Sequence, residues 1–304
     1  MEMDSEVAAD ITVKRELSQF ATEFEPVLRG MLPREEHPRT DLVEAMSYAT
    51  VGGGKYLRPY IVRCSAEMFG VPPLSSMRAG SAVEAVHAYS LVHDDLPALD
   101  NDDLRRGRPT CHCAFGEATA ILAGDGLLTL AFEILAHRET HASTATRLEL
   151  IASLAHAAGA SGMIGGQMID LDCENRTVDF TTAGILARKK TGALFSFATS
   201  AGAILGRASE LERQALSEFG SDMGLAFQIV DDILDVEGNE RLIGKRAGKD
   251  ADAGKATFVS ILGLEKAKSE LDRTVRQAVG HLEPFDCRAD SLRSIVEFIA
   301  SRDR

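Results

Sequence analysis

Two clusters of carboxylates carry the first chemical signal in this chain. Asp94, Asp95, Asp100, Asp102 and Asp103 crowd together directly behind an apolar helical stretch, and Asp231, Asp232 and Asp235 repeat the device inside FQIVDDILDVEG. On a helix, Asp231 and Asp235 lie four apart and project from one face, where like charges repel by ~0.2–0.5 kcal/mol. A purely structural role does not favour that placement. A cation is the simplest compensation, and oxygen-only donors suit hard Mg²⁺, which keeps waters and bridges to substrate phosphates. Either cluster alone reads equally well as a solvated acidic face or a helix N-terminal cap. Both sit inside apolar helices, where unpaired charge is costly, and together they point to a diphosphate–magnesium site. An EF-hand does not fit: a loop begun at Asp102 to place Gly107 sixth puts Leu104 and Arg106 at ligand positions.

Basic residues gather beside glycines and turns: Gly52-Gly53-Gly54-Lys55-Tyr56-Leu57-Arg58-Pro59, Arg105-Arg106-Gly107-Arg108, Lys189-Lys190-Thr191-Gly192, and Gly244-Lys245 through Gly254-Lys255. The chain holds 33 Lys and Arg against 46 Asp and Glu, a net charge of −13, so anions are repelled at long range. Binding a polyanion would need such local cations, although surface solvation accounts for any one stretch by itself. None is a Walker loop, because Tyr56, Arg246 and Ala256 follow the Gly-Lys pairs, and no Gly-x-Gly-x-x-Gly follows a strand. ATP and NAD lose support. The acidic balance and the lack of Trp remove the footprint of a nucleic-acid binder.

The elements that must position these groups read at helical period almost throughout, with little β-branched alternation. The expected fold is all-α: about ten helices in a single domain over residues 1–304, with 45% apolar residues to fill its core. Breaks are expected at Pro33 to Pro38, Gly52 to Gly54, Gly70 to Pro73, Gly107 to Pro109, Asn175 to Asp179, Glu237 to Gly254 and Pro284 to Asp286. On the helix before Asp94, His87, Ser90 and Asp94 share one side. Pro97 ends that helix, so Asp100 reaches Asp94 only through a local turn. The window Ala118 to Ala136 contains Asp125 and Glu133, so no membrane span is expected. MEMDSEVAAD lacks the pattern of a secretory signal, and the odd set of five cysteines suits reduced thiols, so a cytoplasmic location is expected. Cys111-His112-Cys113 lacks a partner pair at ligand spacing, and zinc is not expected there.

In order along the chain, GGGKYLRP, VHAYSLVHDDLPALDNDDLRRGRPTCH, GGQMIDLD, RKKTGALF, FQIVDDILDVEG and GKRAGKDADAGKATF resemble the motifs of the trans-isoprenyl diphosphate synthases, most closely the short-chain bacterial branch that makes farnesyl diphosphate. The resemblance implies an all-α homodimer built around a deep central cavity, with three Mg²⁺ ions on an allylic diphosphate held between the two aspartate motifs. By that resemblance, Asp94, Asp95 and Asp100 form the first motif and Asp231, Asp232 and Asp235 the second, all but Asp232 being metal ligands. Lys55, Arg58, His87 and Arg106 look like anchors for isopentenyl diphosphate. Arg105, Lys190, Thr191, Gln228, Lys245 and Lys255 look like the allylic-substrate set. Tyr56 departs from the pattern, because a basic residue is common there.

The implied reaction breaks an allylic C–O bond, so the departing diphosphate gains charge that cations stabilise most in the transition state. The isopentenyl double bond then attacks the allylic cation and a proton is lost. Tyr89 and Ser90, five and four residues before Asp94, are the implied floor for the growing tail, and core packing explains Tyr89 nearly as well. Geranylgeranyl and geranyl diphosphate are the alternative products. A terpene cyclase would leave the second diphosphate set without a purpose, and a silent partner subunit would not need intact acidic motifs.

Overall fold

The computed structural model describes residues 2–34, 41–52, 54–174, 176–237 and 256–301, with Glu2 to Asp10 described by backbone alone. Among these residues lie fourteen α-helices. They are α1 (Glu2–Met31), α2 (Leu42–Thr50), α3 (Leu57–Glu67), α4 (Pro73–Asp94), α5 (Cys111–Phe115), α6 (Glu117–Ala136), α7 (Thr144–Ala158), α8 (Met163–Cys173), α9 (Phe180–Ala187), α10 (Ala193–Leu205), α11 (Glu210–Glu237), α12 (Phe258–Leu262), α13 (Leu264–His281) and α14 (Asp290–Ala300). The fold is all-α, as the periodicity requires. The count exceeds the expected ten partly because Gly116 (φ +86°) and Gly263 (φ +82°) split short helices α5 and α12 from their neighbours.

Helix α4 is the central pillar, buried nearly all round from Ser75 to Val92, and it packs against α3, α6 and α10. Ala79, Ala82, Ala85 and Ala88 let those neighbours approach closely, while Val83, Val86 and Tyr89 fill the gaps between them. A second apolar cluster joins α9, the C-terminal half of α11, α12 and α13 around Ala226, Ile229, Ile233, Phe258 and Leu271. The first carboxylate cluster therefore hangs from the end of α4, and the second rides on α11.

Two irregular pieces shape what lies between them. Strands β1 (Leu104–Arg105) and β2 (Arg108–Pro109) form an antiparallel hairpin whose loop residues, Arg106 at φ +53° and Gly107 at φ +75°, both take positive φ, as a type I′ turn demands. The second is a π-helical turn, Arg188–Gly192, set without a break between α9 and α10. Glycines on both sides admit it: a Cβ on Gly166 of α8 would lie 2.2 Å from the Lys190 nitrogen, and one on Gly224 of α11 would lie 2.4 Å from the Gly192 Cα.

Two stretches, Glu117–Ala136 and Thr144–Cys173, are long and apolar enough to cross a membrane by length and composition, despite the charges that argued against a span. The first is α6, whose inner face of Ala120, Ala123, Leu127, Ala131 and Ile134 is buried in the fold. The second is α7 and α8, joined through a break at Gly159 to Gly162.

Candidate active site

The end of α4 is folded back on itself by a short turn. The Asp95 amide still donates to Leu91, after which the Leu99 amide donates to the Leu96 carbonyl and the Asp100 amide donates to the Asp94 carbonyl at 2.8 Å. The local turn that Pro97 made necessary is thus present, and it brings Asp100 back to Asp94. Burial pushes the Asp94 carboxyl up to about 6; Lys190 opposes that shift, and the negative charge of Asp100 adds to it. Asp95 has a different environment. It is buried, and Arg105 grips it in a forked ion pair, Nε at 3.0 and 2.9 Å from its two oxygens and Nη2 at 2.7 Å from Oδ1. A carboxylate has about four lone-pair sites, and three hydrogen bonds from Arg105 take most of them.

The second cluster is organised in a parallel way. Asp231 is exposed and Asp235 half-buried, while Asp232 is buried and held by protein donors: Gln228 Nε2 at 2.9 Å and the Phe258 amide at 2.7 Å. In each cluster the second aspartate is an internal anchor. Gln228 also accepts a hydrogen bond from Thr191 Oγ1 at 3.2 Å. One residue earlier, Lys190 donates from Nζ to Asp170 Oδ2 at 2.5 Å and acts on Asp94 through space. The π-helical turn therefore connects the two banks, with Lys190 toward the first and Thr191 toward the second. Widened turns of this kind recur at functional sites because they displace side chains from regular register.

A cationic cluster lies behind the first bank. The Arg58 guanidinium sits 4.6 Å over the Phe195 ring, which packs in turn on Phe227 at 5.4 Å. Burial and then the charges of Arg58, Arg106 and Arg105 hold His87 well below the ordinary histidine range, so it is neutral at pH 7. Lys55 is exposed on the loop ahead of α3. Tyr56, the departure from the motif, is buried at φ +49°; its hydroxyl donates to the Thr50 carbonyl at 3.2 Å and its ring meets Phe24 edge-on. It closes the core beneath the loop. Ser90 donates to the His87 carbonyl at 2.9 Å, and the buried Tyr89 hydroxyl has no hydrogen-bond partner among the described residues. Lys245 and Lys255 lie outside the described residues.

Glu84, one turn before His87, joins the same cluster and was not singled out from the sequence. Burial pushes its carboxyl up to about 7, against the pull of Arg58 and Arg106. An acid whose folded pKa is raised keeps its proton where the unfolded chain has lost it. Stability therefore falls as pH rises from the unfolded value, 4.5, toward about 7, and the loss, about 3 kcal/mol, is complete above that window. Glu84→Gln is expected to flatten this dependence. Urea midpoints at pH 5 and pH 8 test it, and equal pH slopes in the two proteins would refute the assignment. Asp170 was also missed, although its place four residues after Gly166, on the face that meets Lys190, was a usable signal.

The arrangement provides hard oxygen donors on two helices, a lysine and a threonine between them, and a separate arginine–histidine cluster. Asp94, Asp100, Asp231 and Asp235 have the chemistry to hold magnesium, and the elevated Asp94 carboxyl marks a place where added positive charge relieves crowding.

A profile for the family described as Polyprenyl synthetase matches residues 39–297. The farnesyl diphosphate synthase of Geobacillus stearothermophilus is 41% identical over 296 residues, covering 97% of this chain and 99% of that protein. The chloroplastic geranylgeranyl pyrophosphate synthase of Capsicum annuum is 42% identical over 262 residues, covering 86% of this chain and 71% of that protein. The crystal structure of an FPP/GFPP synthase from Zymomonas mobilis superposes with a TM-score of 0.86 at 47% identity, covering 96% of this chain and all of that one.

Proposed function

The chain belongs to the polyprenyl synthetase family, and from that membership we propose that it condenses isopentenyl diphosphate with dimethylallyl and then geranyl diphosphate, giving farnesyl diphosphate and releasing diphosphate. It is a prenyltransferase. The observation that carries the reading is the presence of two distinct anion-receiving groups: carboxylate banks joined by Lys190 and Thr191, and a cationic cluster of Arg58, His87 and Arg106. A terpene cyclase needs only the first.

Prenyltransferases of this family generally depend on magnesium. We assign three ions to Asp94, Asp100, Asp231 and Asp235, with Asp95 contributing only through what Arg105 leaves; the ions would neutralise the diphosphate as it departs. Lys190 adds its charge to the same leaving group and is oriented by Asp170. Thr191 and Gln228 direct oxygen dipoles at the allylic carbon as positive charge develops there. Arg58 and Arg106 hold the isopentenyl diphosphate, and the neutral His87 serves as a hydrogen-bonding group. The apolar residues around α4 exclude water that would otherwise quench the cation as an alcohol.

Tyr89 sets the depth available to the tail in this reading. Tyr89→Ala is expected to shift the main product beyond C15, and the vacated hydroxyl leaves no partner unsatisfied among the described residues. Incubation with magnesium, isopentenyl diphosphate and each of dimethylallyl, geranyl and farnesyl diphosphate, with chromatographic sizing of the products, tests both points. No turnover without isopentenyl diphosphate and a C15 product from the parent chain are expected. A cyclic hydrocarbon would overturn the function, and an unchanged C15 product from the variant would remove Tyr89 as the floor. The exposed apolar residues Ile121 and Leu122 on α6 and Leu148 on α7 suit a homodimer contact.

A further inference from the structure

The hairpin that carries Arg105 and Arg106 is closed at its base by a second cluster of ligand groups, chemically unlike the carboxylate banks. The Thr110 amide donates to the Asp103 carbonyl at 2.9 Å, and α5 begins at the next residue, so Asp103 faces the first turn of that helix. Cys113 Sγ lies 3.5 Å from Asp103 Oδ1 and 3.5 Å from His112 Nε2. The other ring nitrogen of His112 is 3.1 Å from the hydroxyl of the buried Thr110. We infer that Asp103, His112 and Cys113 form a site for a divalent transition ion of the zinc class, held by Nε2, Sγ and a carboxylate oxygen with water as fourth ligand.

Three physical arguments support the site. A thiol has one hydrogen; in the tautomer that carries its proton on Nδ1 this sulfur faces two acceptors, the carboxylate and the imidazole lone pair, and a divalent ion replacing the thiol proton satisfies all three groups. A tetrahedral ion with Zn–S near 2.3 Å and Zn–N or Zn–O near 2.1 Å sets sulfur about 3.5 Å from its fellow ligands, which is the observed spacing. With Nδ1 protonated toward Thr110 Oγ1, the Nε2 lone pair turns toward Cys113, the outer-shell arrangement that orients metal-bound histidines. The thiolate selects this ion class against magnesium. From the sequence the ligand set looked incomplete because Asp103 lies across the hairpin.

The test is a Co²⁺ titration of the full-length reduced chain in excess Mg²⁺, read by thiolate-to-cobalt charge-transfer absorption, which ion bound only to oxygen does not give. One equivalent is expected to saturate the band in the micromolar range, with Zn²⁺ displacing it. Cys287→Ser, at an exposed thiol elsewhere, is expected to leave the band intact. Cys113→Ser is expected to abolish it, and Thr110→Val to weaken binding ~10–100-fold. A band that survives Cys113→Ser, or one seen only near millimolar Co²⁺ as an adventitious ion, overturns the proposal. Circular dichroism of each variant separates loss of the site from loss of fold. Prenyl transfer need not be measured, so the result is independent of the proposed activity.

Discussion

Asp94→Asn is expected to lower turnover roughly 10³-fold or more while leaving the folded chain at least as stable as its parent at pH 7. The two effects have one cause. Asp94 is ionised at neutral pH in a place where burial and Asp100 both oppose its charge, and burial holds its carboxyl up to about 6. An amide of the same shape removes that internal repulsion, so the metal-free protein gains. The same change removes a hard oxygen donor from the bank that faces Lys190, and a diphosphate leaving group then loses the charge that drives its departure. Steady-state rates with isopentenyl and geranyl diphosphates at saturating magnesium, alongside thermal unfolding of the metal-free chain, measure both sides. Turnover within tenfold of the parent would take Asp94 out of the site. A variant that loses stability and activity together would mark the residue as structural.

Arg105→Ala is expected to produce the largest loss of stability among the site residues, ~3–5 kcal/mol, because it strands a buried carboxylate. Asp95 is only 3% exposed and takes a forked ion pair from Arg105. The double change Asp95→Asn with Arg105→Ala is expected to recover much of that loss, since no buried charge is left uncompensated. Denaturant midpoints of the single and double variants decide it, and a loss below ~1 kcal/mol in the single variant would refute the argument. The motif resemblance places Arg105 among the substrate contacts. The geometry gives its guanidinium to Asp95.

What was legible in the sequence was set by local rules. Helical period gave the all-α class, Pro97 required the turn that returns Asp100, and the i, i+4 spacing placed Asp231 and Asp235 on one face of α11. Contacts between distant segments were not legible. Gln228, one turn before Asp232, is a local partner, but the contacts that make Asp95 and Asp232 anchors come from Arg105 across a turn and from the Phe258 amide 26 residues further on. Glu84 reads as an ordinary helical glutamate until α3 and the hairpin bring Arg58 and Arg106 to it. The hairpin itself was read only as a break, since Arg106 takes a positive φ that its residue type does not advertise.

The widened turn at Arg188–Gly192 makes this stretch sensitive to length in a way its composition is not. Each residue of a regular helix advances the chain by about 100°, so one residue deleted from the regular turns on either side would rotate α9 against α10 by that angle while shortening the rod by only ~1.5 Å. Phe180 and Phe195 would no longer point to their present ring partners, Phe258 and Phe227, at the same time. A point substitution alters what the bend presents. An insertion or deletion alters its phase, and two aromatic contacts on opposite sides of the bend keep that phase fixed.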